Sequence, residues 1–204
     1  MNHRSMRLAA LVASSAFVLG CGGASEISGE SLGESEGLLS ESKCPDSVPA
    51  ILTPAADQKL SFTLLGDGVQ IYQCRAVGAS FAWTFVAPSA NLLNPGGQVV
   101  GTHYAGPTWE SVDGSTFQGA VIASASAPIA GAIPWLLLTA VDHDGQGRMS
   151  EVTGAQRLNT TGGVAPAGGC DAGHVGDLVN VPYAAEYFFY KTSPGNGDNA
   201  QCGG

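Results

Sequence analysis

Hydrophobic and polar residues alternate along much of the chain after residue 44, with clusters of turn-forming residues between the alternating runs. Phe81, Trp83 and Phe85 occupy every second position, so they share one face of an extended strand. No stretch shows the capped, amphipathic pattern of a helix of three turns. Similar alternation predicts further strands at residues 98–104, 117–126, 135–141, 149–158 and 184–190.

Two segments add detail to this β pattern. The run 60–65 passes through Gly66-Asp67-Gly68 into the run 69–75, which predicts a hairpin with its turn at the glycines. Residues 134–138 are continuously apolar and predict a strand that is buried on both faces. We therefore expect an all-β fold, an antiparallel sandwich or a Greek-key barrel of about eight strands, with few or no long helices.

The first 20 residues predict a lipoprotein signal peptide. Arg4 and Arg7 precede an apolar run, residues 8–19, which is too short to span a bilayer. The run ends in Val18-Leu19-Gly20-Cys21, which resembles a bacterial lipobox, although Leu19 stands where a small residue is more usual. The alternative is ordinary signal cleavage next to an unrelated cysteine. We expect lipid attachment at Cys21 and export to the bacterial cell envelope, in the outer rather than the inner membrane.

Residues 21–43 consist largely of Gly, Ser and Glu, so this segment cannot bury enough apolar surface to offset its ordering entropy. It predicts a flexible acidic tether, with a short partner-binding motif as the alternative. Residues 44–204 then form a single β-rich domain.

Composition restricts the partners of this domain. The chain has 29 Gly and 11 Pro, only 12% charged residues and a net charge of −9. Phosphate backbones and anionic lipid surfaces are bound by clusters of Lys and Arg. The chain has 8 of these residues, and they do not form such a cluster in the sequence. We expect no nucleic-acid partner, and contact with a membrane only through the lipid anchor.

The five cysteines leave an even set once Cys21 is assigned to the lipid. Cys44, Cys74, Cys170 and Cys202 suit disulfide formation in an oxidising compartment. Four cysteines allow three connectivities, among which spacing does not decide.

The densest cluster of chemically active side chains is His103, Tyr104, Trp109, Glu110 and Asp113. A base, acids and a stacking surface this close together could line a small-molecule or glycan site. The alternative is a structural turn in which Trp109 fills the core and His103 ends a strand.

Arg157 is a rare basic residue in this domain. We expect it to pair with a buried carboxylate, Glu110 or Asp113, and the alternative is an arginine that binds a carboxylate or phosphate ligand.

Other catalytic and metal patterns are weak. The serine signature Gly-x-Ser-x-Gly does not occur, and Ser80 begins an alternating strand. Residues 142–147 resemble the start of a calcium loop, but Thr153 stands where a bidentate Glu is required. The three histidines of the domain, His103, His143 and His174, have no metal-ligand spacing. We assign no catalytic residue, no metal and no cofactor.

Six ordered motifs show a resemblance that covers about residues 49–190. They lie at residues 68–74, 103–110, 113–115, 133–138, 156–160 and 168–171, and they resemble the bacterial and fungal secreted family catalogued as domain of unknown function 3455. The resemblance implies an extracytoplasmic β-rich domain in which Cys74 pairs with Cys170, which leaves Cys44 to pair with Cys202. It implies no catalytic residue.

These observations favour a lipid-anchored, cell-envelope binding or structural module over an enzyme. The alternative is an envelope hydrolase that uses His103 with Glu110 or Asp113. Convergence of these three side chains in one open pocket would favour the enzyme.

Overall fold

The computed structural model of the protein describes residues 47–193, which form a closed barrel of eight antiparallel strands. A short 3-10 helix at Ala50–Leu52 precedes the barrel. The strands are β1 (Gln58–Val77), β2 (Ser80–Leu93), β3 (Val99–Tyr104), β4 (Thr108–Ser111), β5 (Thr116–Ala125), β6 (Trp135–Asp144), β7 (Gly154–Gly162) and β8 (Leu178–Thr192).

Every strand pairs with the next one along the chain, and β1 pairs with β8 to close the barrel. The predicted all-β antiparallel fold is thus confirmed. The connectivity is simpler than a Greek key or a sandwich, because all seven connections join neighbouring strands of one sheet. Within residues 47–193, no helix has the length and hydrophobicity required to span a lipid bilayer.

The predicted hairpin at Gly66-Asp67-Gly68 is wrong, because β1 runs straight through these residues. A Cβ atom at Gly66 would lie 2.5 Å from the ring of Tyr187, and one at Gly68 would overlap the backbone of Ser89 and Ala90. The glycines therefore permit close approach inside a strand, which is the other common reason for glycine in a sheet.

The predicted strand at residues 149–158 is also partly wrong. β7 begins only at Gly154, and residues 149–153 belong to the preceding loop. Met149 and Val152 are fully buried there and pack into the interior core. Their apolar character reflects this packing role rather than extended structure.

Two apolar cores lie on opposite sides of the sheet. Inside the barrel, aromatic side chains such as Trp109, Phe117 and Phe189 form one cluster. On the outer face, Leu52 from the 3-10 helix covers a second cluster that includes Trp135, Leu137, Leu158, Phe188 and Tyr190. Leu138 belongs to the inner core, whereas Trp135 and Leu137 belong to the outer one. The prediction of a strand buried on both faces is thus confirmed for residues 135–138, whereas Pro134 is exposed and precedes β6.

The barrel wall is low between β2 and β5 because β3 and β4 are short. β3 pairs with β2 only from Ala90 to Leu93. On the other side, contact of β5 with this short hairpin ends where Gly119 N donates to the carbonyl of Pro107. Among residues 47–193, residues 80–89 of β2 pair only with β1, and residues 120–125 of β5 pair only with β6. This leaves a lateral opening in the wall near the end of the barrel at which β1 ends and β2 begins. We call this the upper end, and the opposite end the lower end.

A disulfide holds the loop 163–177 against the upper end of the barrel. Cys74 in β1 is bonded to Cys170, with the two Cα atoms 5.3 Å apart, which is the pairing that the family resemblance implies. Trp83 on β2 also donates to the carbonyl of Gly168, over 2.8 Å. The predicted signal peptide, the predicted tether and residues Cys21, Cys44 and Cys202 lie outside the described residues.

Candidate functional site

A cavity of about 370 Å³ lies inside the upper half of the barrel. Residues from all eight strands and from two connecting segments line it, and most of their side chains are apolar. The lining consists of Gln70, Tyr72, Phe85, Pro88, His103, Pro107, Trp109, Val121, Ile133, Pro134, Leu136, Leu138, Arg157 and Tyr187.

The lateral opening leads into this cavity. Phe85 on β2 and Val121 on β5 flank the opening and also line the cavity. Their side chains are 50% and 51% exposed, which is unusual for apolar residues of a barrel interior. The lining of the cavity is therefore exposed to solvent at this part of the wall.

Two polar nitrogen atoms in the lining make no hydrogen bond with the described residues. They are Nε1 of Trp109, which is 1% exposed, and Nε2 of Gln70, which is 3% exposed. The Tyr183 hydroxyl lies close enough to the Gln70 side chain for that side chain to oppose the rise in the Tyr183 pKa that burial causes. Buried donors in folded proteins nearly always have a partner, so unpaired donors in a cavity wall indicate a place for a hydrogen-bond acceptor.

His103 points into the barrel and stacks on Trp109, with the ring centroids 4.2 Å apart and the planes at 12°. Its Nδ1 atom lies 2.9 Å from the carbonyl of Thr108, so Nδ1 carries a proton and donates it. Burial lowers the pKa of His103 to about 3, and the nearby Arg157 charge acts in the same direction, while the bond to Thr108 opposes both. The ring is therefore neutral at physiological pH.

Arg157 faces the same cavity from β7. Its Nε and Nη2 atoms donate to the carbonyl of Pro134 over 3.2 and 2.8 Å. The hydroxyls of Tyr72, Tyr183 and Tyr187 surround it closely enough to influence its titration, and burial lowers its pKa from the usual value. A guanidinium stays protonated in spite of such a shift.

The expected partner of Arg157 was wrong. Among the described residues, Arg157 forms no ion pair with a carboxylate. Glu110 instead accepts a hydrogen bond from the Tyr104 hydroxyl, over 2.9 Å, and Asp113 accepts from backbone and hydroxyl groups. The reason is the strand alternation, which points Arg157 into the barrel and Glu110 out of it.

The other members of the predicted cluster lie outside the cavity. Tyr104 and Glu110 meet on the outer surface of the β3–β4 hairpin, and their hydrogen bond raises the pKa of the Tyr104 hydroxyl. Asp113 accepts hydrogen bonds from Ser115 and from the backbone of Arg148, and these lower its pKa to about 2. Its role is to fasten two loops at the lower end of the barrel.

The residues of the predicted cluster, 103–113, therefore do not lie on one face of the sheet. His103 and Trp109 are direct cross-strand partners and face inward, together with Arg157. Tyr104 and Glu110 alternate with them and face outward. Within residues 47–193, no group of three or more His, Cys, Asp or Glu side chains could hold a metal ion.

Sequence reasoning missed the contributions of β1 and β8. Gln70 and Tyr72 line the cavity from β1, and Tyr187 lines it from β8. The signal was available in the period of two along residues 69–75, which places Gln70 and Tyr72 on one face. Because a turn was predicted at residues 66–68, this face was not recognised as part of the long strand β1.

A family model described as "Protein of unknown function (DUF3455)" matches residues 54–191, which include the whole barrel apart from its final residue. Neither the comparison with curated proteins nor the comparison with solved structures gives a match.

Proposed function

The chain belongs to the DUF3455 family of proteins of unknown function, and we propose that its barrel binds a small, largely apolar molecule in the interior cavity. The observation that carries this proposal is a cavity of about 370 Å³ that is lined mostly by apolar side chains and contains the unpaired donors of Trp109 and Gln70. Volumes of this size and linings of this character are typical of small-molecule sites.

The unpaired donors favour a ligand over a cavity that is merely imperfectly packed. A buried donor without a partner costs about 1–3 kcal/mol, and the two residues that carry these donors line one cavity. A ligand that supplies acceptors to these donors, and apolar surface to Phe85, Leu136 and Leu138, would offset that cost. The lateral opening beside Val121 supplies a path of entry.

The hydrolase alternative gains no support from the geometry. His103 is buried in the barrel, whereas Glu110 and Asp113 lie on the outer surface and at the lower loops. A general base must reach the reacting group together with its acid or nucleophile, and these three side chains share no pocket.

Binding of the neutral, environment-sensitive dye N-phenyl-1-naphthylamine tests the proposal. We expect its fluorescence to rise on addition of the full chain, because the cavity removes the dye from water. Val121→Trp should reduce this binding several-fold, since the larger side chain narrows the opening.

Ile122→Trp is the matched control, because Ile122 is the next residue along β5, is 61% exposed and does not line the cavity. It should leave dye binding unchanged. Absence of any fluorescence change with the wild-type chain, or equal losses in the two variants, would contradict binding in the cavity.

We also propose that a lipid on Cys21 holds this binding module at the cell envelope, in the outer membrane, with the tether between them. The support is the lipobox-like sequence before Cys21 and the even cysteine set that remains without it.

The anchor is tested by replacing Cys21 with serine. We expect the variant to move from the membrane fraction to the soluble fraction in cell fractionation, because its hydroxyl cannot replace the thiol that takes the lipid. Mass spectrometry of the wild-type protein should show a lipid-modified residue 21 as the mature N-terminus. A free thiol at Cys21, or cleavage at another site, would reject the assignment.

A further inference from the structure

We propose that the cavity selects an organic anion, an apolar molecule that ends in a carboxylate, and that Arg157 binds the carboxylate. This inference rests on the proposed function, and it adds the chemical class of the ligand and the residue that recognises it.

The charge of the cavity wall is the first argument. Arg157 is the only charged side chain of the lining given above, and no acidic side chain belongs to it. Arg157 makes no ion pair with a carboxylate among residues 47–193. Arg157 is partly buried. A cation that is partly removed from water without a counter-charge is costly, and a carboxylate is the partner that a planar guanidinium binds best.

The hydrogen-bonding state of Arg157 is the second argument. The carbonyl of Pro134 accepts from Nε and Nη2, which fixes the guanidinium plane and uses only part of its five N–H groups. The Tyr187 hydroxyl is a further polar partner of the guanidinium. The guanidinium is therefore oriented, and it still has donors to offer to a ligand.

The surrounding polar groups are the third argument, because most of them donate. Trp109 Nε1 and Gln70 Nε2 are unpaired donors. Arg157 lies directly opposite Tyr187 in the β7–β8 pairing, and the Tyr187 ring contacts Trp109 with centroids 5.3 Å apart. The cation and the indole donor thus both border the same tyrosine. A wall rich in donors suits the acceptor oxygens of a carboxylate, whereas an ammonium ligand would meet repulsion.

Decanoate and 1-decanol form a suitable pair of probes, because they share an apolar chain and differ in the head group. Each is titrated into the full chain loaded with N-phenyl-1-naphthylamine at pH 7.5, and displacement of the dye is measured. We expect wild-type protein to bind decanoate about 10-fold or more tightly than decanol, as a charge-assisted hydrogen bond provides.

Arg157→Gln should abolish this preference, because decanoate loses the guanidinium as a partner whereas the apolar wall that both probes contact remains. Arg75→Gln is the matched control, because it removes the same charge from an exposed arginine whose side chain donates to Gln73 and does not line the cavity. The control should keep the full preference. If Arg157→Gln fails to fold in a thermal unfolding assay, Arg157→Lys replaces it. That variant keeps the charge but loses the fork of donors, and we expect the preference to fall several-fold.

The outcomes separate the two proposals. Equal affinity for decanoate and decanol, or displacement by neither probe while the dye binds, overturns selection of an anion and leaves cavity binding in place. A preference that survives Arg157→Gln, or disappears in Arg75→Gln, overturns the assignment to Arg157. Failure of the wild-type chain to bind the dye, decanol and decanoate overturns the proposed function itself.

Discussion

Replacing Cys74 and Cys170 together by alanine is expected to lower the free energy of unfolding by about 2–5 kcal/mol. The bond closes a loop with a sequence separation of 96 residues, so it removes many conformations from the unfolded chain. It also holds the loop 163–177, which otherwise contacts the barrel end through hydrogen bonds such as the one from Trp83 to Gly168. Chemical denaturation of the wild-type and double-variant proteins measures the difference.

The double variant Cys44→Ser with Cys202→Ser is the control. Both residues lie outside the described part of the chain, and the predicted bond between them joins the edges of the domain rather than the barrel strands. We expect its removal to change barrel stability much less. An equal loss of stability in the control and in the Cys74 and Cys170 variant would contradict the expected difference between the two bonds. A linked Cys44–Cys74 peptide in a digest without reduction would contradict the pairing itself.

The second large effect is a loss of stability in mild acid caused by His103. The pKa of this imidazole is about 3 in the folded protein and about 6.5 in an unfolded chain. As the pH falls below 6.5, His103 becomes protonated in the unfolded state but stays neutral in the folded state. The stability present above pH 6.5 is therefore lost progressively toward pH 3, at up to about 1.4 kcal/mol per pH unit.

Denaturation curves at pH 7, 6 and 5 measure this slope. His103→Asn keeps a donor for the Thr108 carbonyl but cannot titrate, so we expect it to be less stable than wild type at pH 7 and to lose less stability toward pH 5. His174→Asn is the control, because His174 is an exposed partner of Asp171. An unchanged slope in His103→Asn would show that the buried imidazole is not the source.

The sequence pattern predicted side-chain direction well where a strand had been recognised. Phe81, Trp83 and Phe85 do share a face, since they lie opposite Ala76, Cys74 and Tyr72 in the β1–β2 pairing. The same rule applied to His103 and Tyr104 separates them, because neighbouring residues of a strand point to opposite faces. The predicted strands did not include residues 108–111, so β4 and this separation were not recognised.

Contacts between distant segments were less predictable. The glycines at 66 and 68 have the sequence signature of a turn, and only the packing of Tyr187 and of β2 against them shows why the strand continues. The surroundings of Arg157 come from strands far apart in the chain, β1 and β8. No local pattern specifies which strands close a barrel, so the environment of an inward-facing charge could not be derived from spacing.

The pairing of the first strand with the last also determines how the domain can fold. β1 and β8 pair from Gln58 with Thr192 to Gln73 with Leu178, so more than 100 residues separate each pair. Loop-closure entropy makes such distant contacts slow to form. During synthesis β1 appears first and lacks its final neighbour until β8 has been made, which leaves a long strand edge open to pairing with other chains. We therefore expect the nascent domain to be prone to self-association until its last strand has been made.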